Sequence, residues 1–394
     1  MNIFFSYLFY ISFFIIFWAM IGYPFSLKIL KKFYTHKKNG KNYNNKPKVT
    51  IMVVAHNEEK VIKNKLENLL SLEYPKDKLE ILVSSDNSTD KTNSIVKDFI
   101  KNNPEYNIRL YEVKKRMGKT NAQNEAHKTV KTEFLVMTDA NSLLEKNSIT
   151  ELMASFVSED IAYVTGKLVI VNKDINDISN AENTYWDSDL EMREIESNIQ
   201  TITAGNGALY ACRTKEYYDF NPIECHDSAM PVYYALKNKR AIANHDAIAY
   251  EKAGENVEDE FKRKVRMNRV LLKHILPSLK ILNFFKYKWF TYFYLGHRTA
   301  RYLLWLSHLL LFVSNIFLIN ETLFFLFFLI GQITFYTLAF IKKITGSNNK
   351  YLTLIYYYTI TVLAQWVGVF NIITGKAKPF WEKAESTRWQ GVDR

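Results

Sequence analysis

Apolar and polar positions divide the chain into an apolar start, a mixed middle and an aromatic-rich, apolar end. Residues 4–21 are almost wholly apolar, and no Lys, Arg, Asp or Glu precedes Lys28. A run of that length can span a bilayer as a helix. No basic residue precedes its apolar core and no small-x-small cleavage site follows, which predicts a retained anchor over 1–27. From Lys48 to about residue 172, short β-prone runs alternate with helically spaced ones. Val49–Ala55 reads as a strand. Residues 58–72 read as a helix, with Val61, Ile62, Leu66, Leu69 and Leu70 on one face. Further strands are predicted at 79–83, 108–113 and 134–137, with helices beginning near Asp90 and over 117–130. This βαβα series predicts an α/β fold, a largely parallel sheet with helices on both faces.

Toward the carboxyl end, 281–296 is aromatic with scattered lysines and predicts an interfacial helix, assigned to 276–298. Uncharged segments at 302–320, 322–341 and 351–375 are each long enough to span. They predict a membrane region over 299–375 and a tail over 376–394. Asn320 and Glu321 are expected to form an external hairpin, with Lys342 and Lys343 back in the cytoplasm. Counting one amino-terminal and three carboxyl-terminal spans puts Lys376, Lys378, Lys383 and Arg388 outside, against the positive-inside trend. Either the last segment is re-entrant or the tail lies outside despite its charge.

Charge and composition narrow the class. The net charge is +12, and eight lysines lie between Lys28 and Lys48 with no acid among them. Directly behind an apolar segment, this basic linker (28–48) suits anionic lipid better than a nucleic-acid groove. Only two cysteines occur, Cys212 and Cys225, so no disulfide framework is expected. The three carboxyl-terminal segments contain no charged residue, which argues against a transporter.

Candidate chemistry stands where strands stop. The run 134–137 stops at Thr138, so Asp139 lands at the strand's carboxyl end, where open α/β sheets bind ligands. Asp139 and Asn141 can offer oxygens from one turn to a hard cation, or Asp139 can simply cap the next helix. Asp86 ends the second run, suited to a nucleobase, a ribose hydroxyl or a helix cap. Gly118-Lys119-Thr120 looks like the end of a phosphate-binding P-loop, but Val113 stands where its first glycine belongs. Lys119, with Lys114, Lys115 and Arg116, can still attract phosphate or form an ordinary solvated charge run. Gly205, Asn206 and Gly207 form a turn where backbone can approach a ligand. His226 and Asp227 form either an acid/base pair or a helix cap. Residues 261–269, FKRKVRMNR, carry five basic residues in nine, a surface face or a phosphate clamp.

Together these segments resemble the membrane-anchored family 2 glycosyltransferases that build surface polysaccharides on a GT-A domain, relatives of the cellulose, hyaluronan and poly-N-acetylglucosamine synthases. The resemblance covers roughly 48–271 and consists of eight motifs in the family's order. They are VVAHNEE (53–59), VSSDNSTDKT (83–92), GKTNAQNEA (118–126), TDAN (138–141), GNGALYACR (205–213), HDSAMP (226–231), AIAYE (247–251) and RKVRMNR (263–269). It implies a GT-A nucleotide-diphospho-sugar transferase domain over 49–275, with a Rossmann-like mixed sheet flanked by transmembrane helices. The implied reaction is an inverting transfer from a nucleoside diphosphate sugar, with a UDP-sugar as the expected donor. The acceptor would be a saccharide or lipid-linked saccharide.

The resemblance also assigns roles. Asp227 corresponds to the catalytic base. Asp139 and Asn141 occupy the positions that hold Mg2+ or Mn2+. Donor binding falls to Ala55, Asn57, Glu58, Asp86, Lys119, Asp139, Arg263 and Arg266, and acceptor binding to Gly205, Asn206, Gly207 and His226. Three departures matter. Asn141 stands for a second Asp and lowers the site's charge. His226 stands where Glu is common, leaving Asp227 the sole carboxylate of that pair. Processive synthases carry Q-x-x-R-W, whereas Arg263, Arg266 and Met267 stand here, without the stacking tryptophan. This favours addition of one sugar over processive synthesis with translocation. A catalytically silent nucleotide-binding subunit is the further alternative, and the retained Asp86, Asp139 and Asp227 speak against it. The expected partners are nucleotide sugar, acceptor and membrane lipid, without nucleic acid. The expected location is the inner (plasma) membrane, multi-pass, with the catalytic domain cytoplasmic.

Overall fold

The structure, a computed structural model, describes residues 3–34, 39–44, 46–171, 177–252, 257–380 and 388, without the side chains of 177–186 and 257. The rest of the expected linker and tail lies outside the described residues. The chain divides into two units that are discontinuous in sequence. Tyr34–Asn172, Leu190–Gly254 and Lys378–Arg394 form one, and Met1–Phe33, Lys173–Asp189 and Glu255–Ala377 the other.

Among the described residues the first unit is built on eight strands: β1 (Val49–Ala55), β2 (Leu79–Ser85), β3 (Asn107–Glu112), β4 (Phe134–Asp139), β5 (Leu143–Leu144), β6 (Ile161–Ile170), β7 (Leu209–Arg213) and β8 (Arg240–Glu251). Their order is β3-β2-β1-β4-β7-β6-β8-β5. β3, β2, β1 and β4 run parallel, whereas β7 is antiparallel to both β4 and β6. The expected parallel sheet therefore runs unbroken only through β3-β2-β1-β4; beyond β7 the pair β6 and β8 is parallel again, and β5 is antiparallel to β8. The sheet is mixed, as the family resemblance implies.

β1 lies between β2 and β4, which is why it reads as continuous apolar sequence rather than an alternation. Its side chains still divide by period two. Val49, Ile51 and Val53 join one cluster with Ile62, Leu66 and Leu69 of the helix Ile62–Leu70. Met52 joins the opposite cluster with Ala126, Met230 and Tyr234, from the helices Lys119–His127 and His226–Leu236. Phe134 and Val136 of β4 face the first cluster, and Leu135 and Met137 the second. Each such fully buried aliphatic side chain contributes about 1.5–3 kcal/mol relative to exposure. Two-sided burial thus fixes register, and register fixes where the strands end.

In the other unit, Ile3–Phe17 continues through a π turn at Trp18–Gly22 into Tyr23–Tyr34. Among the described residues three helical runs are long and apolar enough to cross a membrane: Ile3–Tyr34, Leu323–Thr345 and Lys350–Ile373. A fourth, bent pair joins Trp289–Tyr302 to Leu304–Leu318 at 61°. The expected span over 302–320 is thus one arm of a broken element. The expected interfacial helix is broken too. It becomes the short turns Leu279–Leu282, Phe284–Tyr287 and Trp289–Phe293, because Asn283 caps the second and Lys288 takes φ 52°. Phe9, Leu311, Leu318 and Phe325 cluster, and the Phe5 and Phe317 rings stack at 4.2 Å.

Candidate functional site

Parallel register brings the carboxyl ends of β1, β2 and β4 to one edge, with Ala55 opposite Ser85 and Val54 opposite Asp139. The loops leaving these ends interlock. Asp86 N–H donates to Ala55 O at 2.8 Å, and His56 Nδ1 lies 2.7 Å from Asp86 O. Asn57, at φ 55°, accepts from Thr89 N–H on Oδ1 at 2.8 Å. The Glu58 carboxylate receives the Arg388 guanidinium, with Nε to Oε2 at 2.7 Å.

Asp86 is buried and accepts the N–H groups of Met117 and Gly118 at 3.1 and 2.9 Å. It thereby fixes the loop that launches the helix Lys119–His127. Gly118 takes φ 97°, and a Cβ there would lie 2.4 Å from Pro379 O, so only glycine fits. One residue later, the Lys119 ammonium contacts the Asp139 carboxylate. Burial acts to lower the Lys119 pKa, but the charges of Asp139 and Asp227 outweigh it and raise the ammonium.

Asp227 enters from the other half of the sheet, in the first turn of His226–Leu236. Its backbone carbonyl accepts Gly205 N–H at 2.8 Å, and Gly205 O accepts from Arg193 Nη1 at 2.7 Å. Asn206 is buried, with Nδ2 donating to Gly166 O at 2.6 Å and Oδ1 accepting from Leu209 N–H at 3.2 Å. These bonds hold the 205–207 loop over the site. A Cβ at Gly207 would lie 3.0 Å from Lys119 Nζ, 3.3 Å from Asp139 Oδ2 and 3.8 Å from Asp227 Oδ2. Gly207 therefore marks the point where the three charged groups converge. Burial raises the Asp227 pKa, Asp139 adds to the rise, and Lys119 and Arg193 oppose it.

The structure thus brings Lys119, Asp139, Gly207 and Asp227 together, with Ala55, Asn57, Glu58 and Asp86 building the adjoining loops. Asn141 is half-buried in the turn after Asp139. Two expected acceptor residues instead face the interior. Asn206 holds backbone, and His226 is 1% exposed, with Nδ1 2.8 Å from Gln123 Oε1 and Nε2 3.1 Å from the Tyr217 hydroxyl. Burial and the nearby Lys119 charge push the His226 imidazole down to about 3, so it stays neutral. Arg263 and Arg266 belong to the membrane unit, where Arg263 pairs with Glu260 at 2.7 Å.

Sequence reasoning missed Lys65, Tyr163 and Arg193, and had Arg388 only as a charge of the tail. Lys65 carried a usable signal, because it interrupts the apolar stripe of its helix. The others meet their partners across long sequence separations, which leaves no local pattern.

Among the described residues no group of three His, Cys, Asp or Glu side chains could hold a metal by itself. Asp139 and Asn141 supply hard oxygen donors of the kind that share Mg2+ or Mn2+ with substrate phosphates. The donor set fits a cation held jointly with a diphosphate.

Residues 50–219 match glycosyl transferase family 2. A beta-monoglucosyldiacylglycerol synthase from Nostoc sp. is 28% identical over 168 residues, covering 41% of this chain and 34% of its own. A poly-beta-1,6-N-acetyl-D-glucosamine synthase from Staphylococcus epidermidis is 29% identical over 126 residues, covering 32% of this chain and 29% of its own. The matched stretch thus spans about a third of these relatives' length. A mannosyltransferase from Pyrobaculum calidifontis, solved with GDP-Man and Mn2+, superposes with a TM-score of 0.70 at 21% identity, covering 94% of this chain and 99% of that one. That likeness extends the fold match beyond residues 50–219. The chain carries a family 2 glycosyltransferase domain of GT-A fold.

Proposed function

We propose that this protein transfers one sugar, with inversion, from a nucleoside diphosphate sugar to a saccharide or lipid-linked acceptor at a membrane surface. The observation that carries this reading is the convergence of Lys119, Asp139 and Asp227 around Gly207. Asp227 takes the proton of the acceptor hydroxyl as the acceptor oxygen bonds to the anomeric carbon. The bond from that carbon to the diphosphate breaks, and nucleoside diphosphate leaves. Lys119 and the loop held by Asp86 orient the diphosphate and nucleoside. When bound at Asp139 and Asn141, Mg2+ or Mn2+ neutralises charge building on the diphosphate. His226, next to Asp227 in the first turn of the same helix, is anchored by Gln123 and Tyr217 rather than touching the acceptor.

Membranes containing the protein, offered UDP- and GDP-sugars with Mn2+, should release one nucleoside diphosphate. Release should stop on chelation and in Asp139→Ala. One discrete lipid product supports single transfer, and a ladder of products supports the processive alternative. Donor binding without turnover of any donor or acceptor would point to a silent subunit.

The catalytic unit and the tail are assigned to the cytoplasmic side. The Arg388–Glu58 ion pair lies within the catalytic unit, which supports one side for both. An even number of crossings must then separate them. Helix Lys350–Ile373 is the one best explained as lying in the interface. Lys264 of the charged helix Val257–Met267 reaches the Tyr357 hydroxyl at 3.0 Å, and Gly368 lies against Asn268. A helix flanked along that length by such polar groups is poorly suited to the bilayer core. Leu304–Leu318 goes out and Leu323–Thr345 returns. A reporter fused after residue 376 should be cytoplasmic, and a periplasmic or extracellular signal would reject this topology.

A further inference from the structure

We infer that Lys65 is a positioning residue that sets the Asp139–Asn141 turn from beneath and ties it to the 205–208 loop. This rests on the proposed donor-binding role of that turn. Helix Ile62–Leu70 buries Ile62, Lys65, Leu66 and Leu69 on one stripe, so a lysine occupies a core position and is 0% exposed. Among the described residues its amine makes no carboxylate ion pair. It donates instead to Thr138 Oγ1 at 2.8 Å and to Ser142 O at 2.6 Å.

Those two acceptors flank the turn. Thr138 precedes Asp139 and Ser142 follows Asn141, so one nitrogen clamps both ends of the segment assigned to the cation and diphosphate. The clamp extends further. The Thr138 hydroxyl donates to Ala208 O at 2.7 Å, and the Ser142 hydroxyl to Asp139 O at 2.9 Å. Ala208 follows Gly207, whose Cα faces Lys119, Asp139 and Asp227. A chain of three hydrogen-bonding groups therefore runs from Lys65 through Thr138 to the loop on the acceptor side.

Placing an amine in a core without a directly paired carboxylate is unfavourable, although the charges of Asp139 and Glu251 partly offset burial, and a methionine of similar volume would fill the stripe without that penalty. Burial pulls the Lys65 ammonium down to about 7. The clamp does not depend on that titration. A neutral amine keeps two N–H groups and an ammonium three, and there are two acceptors to satisfy. What the position requires is a donor at the end of a long flexible stem.

The test uses full-length protein and measures UDP and GDP affinity with Mn2+ by calorimetry, together with thermal unfolding. Lys65→Met should unfold within a few degrees of wild type, yet bind the Mn2+-nucleotide at least tenfold more weakly. Thr138→Val, which removes the hub hydroxyl, should act in the same direction. The double variant should lose less than the product of the two single losses, because both break one chain. Wild-type affinity in folded Lys65→Met would overturn the inference, as would a lowered unfolding temperature with unchanged affinity per folded molecule. If Lys65→Met does not fold, Thr138→Val decides, since wild-type affinity there breaks the chain at its hub. Failure of wild type to bind either nucleotide would reject the donor-binding reading itself. Binding by wild type that survives both substitutions rejects only the role of Lys65.

Discussion

In the half of the sheet made by β3, β2, β1 and β4, functional residues stand at strand ends fixed by parallel backbone register. In the half made by β7, β6 and β8 they are held by side-chain bonds to backbone, such as Asn206 to Gly166 and Arg193 to Gly205. The first arrangement is written in local hydrophobic pattern, so Asp86 and Asp139 could be found by asking where each apolar run stops. The second depends on contacts between residues far apart in sequence. The difference teaches where each half should fail. The donor half should fail through its charges, and the acceptor half through the packing that holds its one reacting charge, Asp227, in place.

Asp227→Asn offers the largest effect, because it removes a charge while keeping the bolted turn. Donor affinity should persist while kcat falls about 10²–10⁴-fold, the usual contribution of a positioned base. A near-normal kcat would mean that the acceptor half supplies shape alone, and the proposed division of labour would break.

Gly205→Ala tests packing. Its Cβ would lie 1.9 Å from the Tyr163 hydroxyl, an overlap the buried strand β6 cannot relieve cheaply. Overpacking of this kind costs about 1–3 kcal/mol. Adding Tyr163→Phe removes the clashing oxygen and should recover much of the lost stability in a denaturation series. If the second substitution recovers nothing, the loop is limited by something other than this contact.

Gly207→Ala stands on the boundary between the halves. Its Cβ would meet only the ends of flexible side chains, Lys119 and Asp139, at 3.0 and 3.3 Å. Stability should change little, while diphosphate affinity drops roughly tenfold, equivalent to about 1.4 kcal/mol. A loss of stability without loss of affinity would place Gly207 with Gly205 as a packing residue.

Much of this was legible beforehand, and unevenly so. β1 ends at Ala55 as the apolar run predicts, and Asp139 closes β4. β7 escaped because it runs against both of its neighbours, a reversal that no periodicity encodes, and β8 because its parallel partner β6 is distant in the chain. His226 was misplaced for a physical reason too. A polar residue beside a catalytic carboxylate looks functional in sequence, yet here its ring is enclosed by Gln123, Tyr217 and Phe220. The membrane end was legible in composition but not in geometry, since Lys288 breaks a stretch that hydropathy reads as one helix.

The smallest expected effect concerns pH, and its sign sharpens the comparison most. Burial raises the Asp227 pKa, with Asp139 adding to the rise and Lys119 and Arg193 opposing it. A base must be ionised to act, so kcat/KM should fall as pH drops through that raised value. The acid limb should therefore lie above the range of an ordinary aspartate, and it should be absent from the residual activity of Asp227→Asn. The same shift bears on stability. A carboxyl whose folded pKa exceeds its unfolded one binds its proton more tightly when folded, which favours the folded state at low pH. That advantage disappears as pH rises through the folded value, leaving the buried anion as a liability. Asp227→Asn, neutral throughout, should thus be modestly more stable than wild type near neutral pH while nearly inactive. A less stable variant would mean that Lys119 and Arg193 together more than offset burial. Asp227 would then belong to the charge-built half of the site rather than to the packed one.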